Sequence, residues 1–186
     1  LRTAAAKAAA RTLDVGGKTV AWVVEENGLS PAEQGQAIVD GTVLGPYENV
    51  GRLPWWLNRI AAGGQVLAPG DPAVPMQLID ARDLAGWMLD SAEAGRGGPF
   101  AATGPAGNTT MRRWLGDCVA ATGSGAELVW VPDEFLLEHD VATWTELPLW
   151  MPAGPDTAGT WAVDVSLAQS AGLRSRPVRD TVRDTW

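Results

Sequence analysis

The chain of 186 residues carries 14 Lys and Arg against 22 Asp and Glu, a formal charge of −8, and 46% of its residues are hydrophobic. That balance describes one sizeable soluble domain and argues against disorder and membrane insertion. With no Lys/Arg cluster to offset the acidity, nucleic acid is also excluded as a partner.

No apolar run approaches the roughly 20 residues of a membrane helix, and the start has no signal-peptide core. The first residue is Leu1 rather than Met, which points to sequence upstream. One cysteine, Cys118, rules out an internal disulfide and fits a reducing, cytoplasmic compartment. It falls on the apolar side of a predicted helix and reads as a buried thiol. Ten tryptophans stand against two phenylalanines and one tyrosine. Trp55, Trp56, Trp144 and Trp150 fall in loops or helix starts near prolines, where an indole often lines a cleft or an interface.

In chain order, residues 2–13 predict an alanine-rich helix and residues 18–25 (KTVAWVVE) a strand. Ser30-Pro31-Ala32-Glu33 is a capping box that opens a helix to about residue 39. The Gly16-Gly17-Lys18-Thr19 run falls short of a phosphate loop, because Thr12 stands where the pattern needs glycine and a helix stands where it needs a strand.

Residues 41–47 (GTVLGPY) form a brief strand and a Gly-Pro turn. Pro54 opens a helix with Leu53, Trp56, Leu57 and Ile60 inside, stopped by Gly63-Gly64. A strand over 65–68, a loop pinned by Pro69, Gly70, Pro72 and Pro75, and a strand over 76–79 lead to a helix capped by Asp80. That helix is expected to bury Leu84, Ala85, Met88, Leu89 and Ala92.

A strand over 99–103 follows, then a helix capped by Thr109 or Thr110, burying Met111, Trp114, Leu115, Cys118 and Val119 and ending at Gly123. Residues 127–131 (ELVWV) predict a strand and 132–139 a short helix. Residues 140–159 read as a Trp- and Pro-rich loop suited to covering a ligand. Asp164 caps a small helix and Pro177 opens the last one. Arg174, Arg176, Arg179 and Arg183 read as a solvated face. Strand and helix alternate throughout, so the class is α/β.

The order of elements from Gly41 onward, with its GP turn, its A-P-G-D loop, the I-D-A-R-D-L-A helix start at 79–85 and the G-L-R-S-R-P ending at 172–177, resembles the C-terminal half of extended short-chain dehydrogenase/reductases, the NAD(P)-dependent epimerase/dehydratase group. The resemblance implies a partial Rossmann-like, three-layer arrangement with a small substrate-binding lobe and without the N-terminal nucleotide-binding half. NAD or NADP is the implied cofactor and a small molecule the implied substrate. Tyr47, Trp55, Trp56, Gln77, Arg82, Trp144 and Trp150 are the candidate substrate-binding residues.

The family's glycine-rich loop and Tyr-x-x-x-Lys pair are missing. Its nearest echo, Thr3 to Lys7, lacks the tyrosine, so no catalytic residue is assigned. Residues 1–47 resemble part of the N-terminal domain of M17 leucyl aminopeptidases, whose metal ligands lie in a domain this sequence lacks. The two resemblances meet within 41–47, so a chimera is expected, with 1–47 from one family and 41–186 from the other.

Asp133, Glu134, Glu138, His139 and Asp140 form the densest polar cluster, read as a solvated helix start rather than a metal site. Two functions follow. One is the substrate portion of an oxidoreductase that needs its nucleotide-binding half in trans. The other is a non-catalytic structural or self-associating chimera.

Overall fold

The computed structural model describes residues 43–48, 50–157 and 159–186. The elements expected over 2–13, 18–25 and 31–39 lie outside the described residues. The described part is of α/β class, with helices interleaved among short strand pairs, most of them parallel. Among the described residues no helix is long and apolar enough to cross a membrane.

Strand β1 (Val43–Leu44) runs parallel to β4 (Ile79–Asp80), with Val43 opposite Ile79. After β1 the Glu48 N–H donates to the Gly45 carbonyl at 3.2 Å. Pro46 occupies the second turn position and left-handed Tyr47 (φ 66°) the third, the pattern of a type II turn. The Glu48 carboxylate then accepts the N–H groups of Arg52 and Leu53, both at 3.1 Å. It thereby caps helix α1 (Arg52–Ala61), whose N-cap Gly51 has no side chain to do so. The helix therefore begins two residues before Pro54. Its expected face of Leu53, Trp56, Leu57 and Ile60 is buried, and positive φ at Gly63 (73°) and Gly64 (69°) turns the chain away.

Strand β2 (Gln65–Pro69) pairs in parallel with β6 (Glu127–Val131), from Gln65 opposite Glu127 to Pro69 opposite Val131. Val66 and Ala68 point into the core while Gln65 and Leu67 point out. The strand expected over 76–79 is split. Its first part, β3 (Pro75–Met76), pairs antiparallel with β5 (Thr109–Thr110), and its end is β4.

Between them, side chains replace the ladder. Asn108 Oδ1 accepts the Leu78 N–H at 3.1 Å and its Nδ2 donates to the Leu78 carbonyl at 2.7 Å. The segment 99–103, expected as a strand, is irregular. Phe100 is held edge-on to Trp87 at 5.3 Å, and Gly104 lies so close that an added Cβ would sit 2.0 Å from the Leu78 carbonyl oxygen.

Helix α2 (Ala81–Glu93) starts as expected, with Asp80 accepting the Arg82 N–H at 2.8 Å. Its buried face differs. Trp87 and Ser91 are inside, flanked by half-buried Leu84, Met88 and Ala92, whereas Ala85 and Leu89 face solvent. The bulk of Trp87 sets this rotation, its indole donating to the Ala171 carbonyl at 3.0 Å.

Helix α3 (Met111–Thr122) is capped by Thr110, which accepts the Arg113 N–H at 3.3 Å, and it ends at Gly123 with φ 61°. It buries Met111, Trp114, Leu115 and Cys118, and packs against α1 and the C-terminal helix α6 (Val178–Thr185). Between β6 and α6 come α4 (Asp133–Glu138), the two-residue parallel strands β7 (Thr143–Trp144) and β8 (Leu147–Pro148), and α5 (Ser166–Ser170). The expected loop over 140–159 thus contains a small ordered pair.

The main core gathers around Trp56, Trp114 and Trp150, with Trp56 and Trp114 edge to face at 6.0 Å. A smaller cluster of Ile79, Trp87, Ala102, Ala168 and Leu173 lies under α2.

Candidate functional site

The parallel pair β2–β6 ends at Pro69 and Val131, and the chain leaves both strands at the same end of the pair. After β2, Gly70 (φ 68°) donates its N–H to the Val131 carbonyl at 2.8 Å. Asp71 then closes a turn on itself, its carboxylate accepting the Ala73 N–H at 2.8 Å and its carbonyl the Val74 N–H at 3.1 Å. The carbonyls of Pro72 and Val74 accept the Arg112 and Met111 N–H groups, at 3.0 and 3.1 Å. The proline-rich loop therefore plugs the N-terminus of α3.

After β6, Asp133 enters the first turn of α4 and reaches back. Its Oδ1 accepts the Trp150 indole N–H at 2.7 Å, and its Oδ2 the Ala153 N–H at 3.1 Å. Asp133 thus anchors the Trp-rich segment over the strand ends. A Cβ at position 70 would lie 2.5 Å from Asp133 Oδ1, so the anchor depends on glycine there.

These elements wall a narrow cleft with about 10 Å³ of enclosed space, room for about one water, between Pro69, Gly70, Asp71, Val74, Met111, Asp133, Leu149, Trp150, Met151 and Trp161. Its floor is apolar and its charged side chains are two carboxylates. It is smaller than the roughly 300–1,000 Å³ of pockets that enclose drug-sized ligands. Trp144 and Leu149, in the segment above it, both adopt positive φ (67° each), a conformation that β8 and the surrounding packing hold in place.

The residues named from sequence fall into three groups. Trp150 lines the cleft, buried except for a sliver, and Trp144 stands behind the wall, its ring 5.9 Å from that of Trp161. Trp56 and Gln77 are fully buried and support that wall. The Trp56 indole donates to the Pro148 carbonyl at 2.7 Å. The Gln77 amide accepts the Val163 N–H at 3.0 Å and donates to its carbonyl at 2.8 Å, tying down the segment that carries Trp161.

Tyr47, Trp55 and Arg82 lie outside the wall. Tyr47 is fully exposed on its turn, and Trp55 sits on the outer side of α1, edge-on to Trp56 at 4.8 Å. Arg82 is engaged elsewhere, gripping Asp80 through Nε at 2.9 Å and Nη2 at 2.7 Å and Asp184 through Nη1 at 3.0 Å.

Arg176 completes that network, with Asp83 at 2.7 Å and Asp80 at 3.6 Å, so it is an inter-element tie rather than part of a solvated face. Burial alone would raise the pKa of Asp80. The hydrogen bonds from the Arg82 side chain and backbone and from Thr181 outweigh it, together with the charge of Arg176, and hold the carboxyl below its usual range.

Gly70, Asp71, Met111, Met151 and Trp161 escaped the sequence reading as site residues, and Asp133 was read there as a solvated cap. The signal available was the A-P-G-D loop together with an acid at the first helical position after a strand. His139 stacks on Phe135 at 4.1 Å, its Nδ1 2.8 Å from the Phe135 carbonyl oxygen, and among the described residues no three His, Cys, Asp or Glu side chains come together as a metal set. Cys118 is buried in α3, where burial and then the charge of Asp117 push its thiol pKa far up, so it is inert as a nucleophile.

Compared with known proteins, the chain matches no family model, and no curated protein matches it.

Proposed function

We propose that residues 41–186 are the substrate-binding portion of an NAD(P)-dependent oxidoreductase or epimerase of the extended short-chain dehydrogenase/reductase kind, a partial Rossmann-like unit acting on a small molecule in a cytoplasmic setting. The observation that carries this reading is position. The cleft opens beyond the carboxyl ends of a parallel strand pair, where open α/β sheets place their ligands.

In this reading the cleft marks the substrate's side of the strand ends, and NAD or NADP is held by a nucleotide-binding half supplied in trans. The test is a titration of the full chain with NADH and NADPH, following energy transfer from tryptophan to the nicotinamide, alone and after addition of a separately produced domain bearing a glycine loop and Tyr-x-x-x-Lys. Saturable transfer that appears only after the domain is added supports the reading, whereas transfer by the chain alone would put the cofactor on this chain and overturn the in-trans arrangement. A flat response in both, from a cooperatively folded chain, sinks it.

A second reading is a non-catalytic, self-associating chimera. Leu67 and Val129 favour it: they face each other in register on the outer side of β2–β6, each 38% exposed, on a parallel pair of a kind that normally has both faces covered. Concentration-dependent sedimentation that disappears in the Val129→Lys variant would support this alternative.

A further inference from the structure

We propose that β6 is an open sheet edge on which a second copy of this chain docks, the two β6 strands pairing antiparallel across a two-fold axis at Val129. This goes beyond both readings above, since a substrate portion and a structural chimera can each pair in this way.

The alternation of a parallel ladder fixes which backbone groups face outward. The Glu127 N–H donates to the Gly64 carbonyl at 2.9 Å, and the Val131 carbonyl accepts the Gly70 N–H at 2.8 Å. Residues 127, 129 and 131 therefore turn their N–H and C=O groups toward β2, and Leu128 and Trp130 turn theirs away. Among the described residues β2 is the one strand paired with β6, and nothing bonds to the outward groups of Leu128 and Trp130.

The outer edge of β2, by contrast, is blunted. Its Gln65 carbonyl is taken by the Arg59 guanidinium, and Pro69 has no N–H to offer. The outward positions of β6 have neither device.

The register follows from the flanking residues. With Val129 opposite Val129 of the second copy, Leu128 of each chain stands opposite Trp130 of the other. Each chain then donates both outward N–H groups and accepts on both carbonyls. A slip of one residue sets outward-pointing residues against inward-pointing ones. A slip of two sets Trp130 against Ala126, whose N–H is held by the Ser124 hydroxyl at 3.3 Å, or Leu128 against Pro132, which has no N–H.

Side chains and charge agree with that register. Val129 and Leu67 lie side by side on the outer face, each 38% exposed, so the two-fold joins Leu67, Val129, Val129 and Leu67 in one row across a four-stranded sheet. In a chain of charge −8 the seam must avoid setting acids together. Glu127, the one acid of β6, falls opposite Val131 and roughly 14 Å from its counterpart. So short a seam is weak, and pairing depends on concentration.

The test is disulfide trapping in the full chain with diamide as oxidant, comparing Val129→Cys with Leu67→Cys. The one native cysteine, Cys118, is buried and takes no part. Opposed residues at position 129 form a non-hydrogen-bonded pair with Cα atoms about 4.5 Å apart, within disulfide reach. Positions 67 of the two copies are three strand spacings apart, roughly 14 Å, and beyond it. V129C is expected to give crosslinked dimer at least about tenfold faster than the equally exposed L67C.

In the parent chain, the Leu128 and Trp130 amides are expected to gain hydrogen-exchange protection as the chain is raised from micromolar to millimolar concentration. Equal trapping of the two variants overturns the seam. If that trapping accompanies dimers stacked face to face, the self-associating reading survives without this geometry. Protection of the two amides that is independent of concentration puts another part of the same chain on the edge and also overturns the seam, as does no protection at any concentration. The NADH titration reads the cofactor, so either result can fail without the other.

Discussion

The two apolar clusters of this molecule are held in place by different means. Around α1 and α3 the large cluster is filled by Trp56, Trp114, Trp150 and a dense set of aliphatics, and polar groups enter it mainly as single tethers such as the Trp56 indole on Pro148. Under α2 the small cluster has few apolar residues, and its position is set by charge. Asp80 is fully buried among Arg82, Arg176 and Thr181, Arg176 is doubly bonded to Asp83, and Arg96 reaches the Ala171 carbonyl at 2.9 Å. Where too little apolar volume is available to define an interface, directional bonds take over the definition, at the cost of sensitivity to pH and salt.

The contrast can be broken from either side. Truncating the large cluster has the largest expected effect. Trp114→Ala removes a fully buried indole at the α1–α3 contact and is expected to cost about 3–5 kcal/mol in urea unfolding, little altered by salt.

On the other side, Asp80→Asn is expected to cost about 2–3 kcal/mol, because Arg82 and Arg176 lose a charged partner. Its signature is acid dependence. The folded pKa of Asp80 is depressed, so its stabilising contribution is complete above the unfolded value of about 3.9 and is lost as pH falls through the lower folded value. Stability curves of the parent and D80N chains should therefore converge in acid. Parallel curves would remove Asp80 from the argument.

Thr110→Ala is the smallest of the three. It removes one side-chain cap from a helix whose first N–H groups are already taken by Pro72 and Val74, and about 0.5–1 kcal/mol is expected in the same unfolding assay.

Local chemistry made much of this readable in advance. Asp80, Thr110 and Gly123 mark helix ends by short-range bonding or backbone conformation, and β6 and the inner face of α1 follow from periodicity. The failures have a common cause. The strand expected over 76–79 breaks because Gln77 and Asn108 offer side-chain amides to distant backbone, and nothing near them in sequence announces those partners. The face of α2 differs because the three-four spacing selects Leu84, Ala85, Met88, Leu89 and Ala92 and passes over Trp87, while the tertiary partner of the Trp87 indole decides the rotation.

The site divides in the same way. Trp150, picked out in the sequence by its neighbouring prolines, stands on the cleft wall, whereas the two carboxylates there are brought together by strands that meet only in space. Trp56 and Gln77 do their work one layer behind the wall.

The close approach of Gly70 to Asp133 joins two distant positions into one heritable unit. A methyl group at 70 would displace the acid at 133, and a shorter residue at 133 would release the indole of Trp150 and relieve the steric part of the demand for glycine at 70, leaving the positive φ (68°) that still favours it. Descendants of this sequence can therefore change the pair together far more readily than either member alone. A lineage carrying a side chain at 70 should also be one in which 133 is no longer an acid and the Trp-rich segment has found another anchorage.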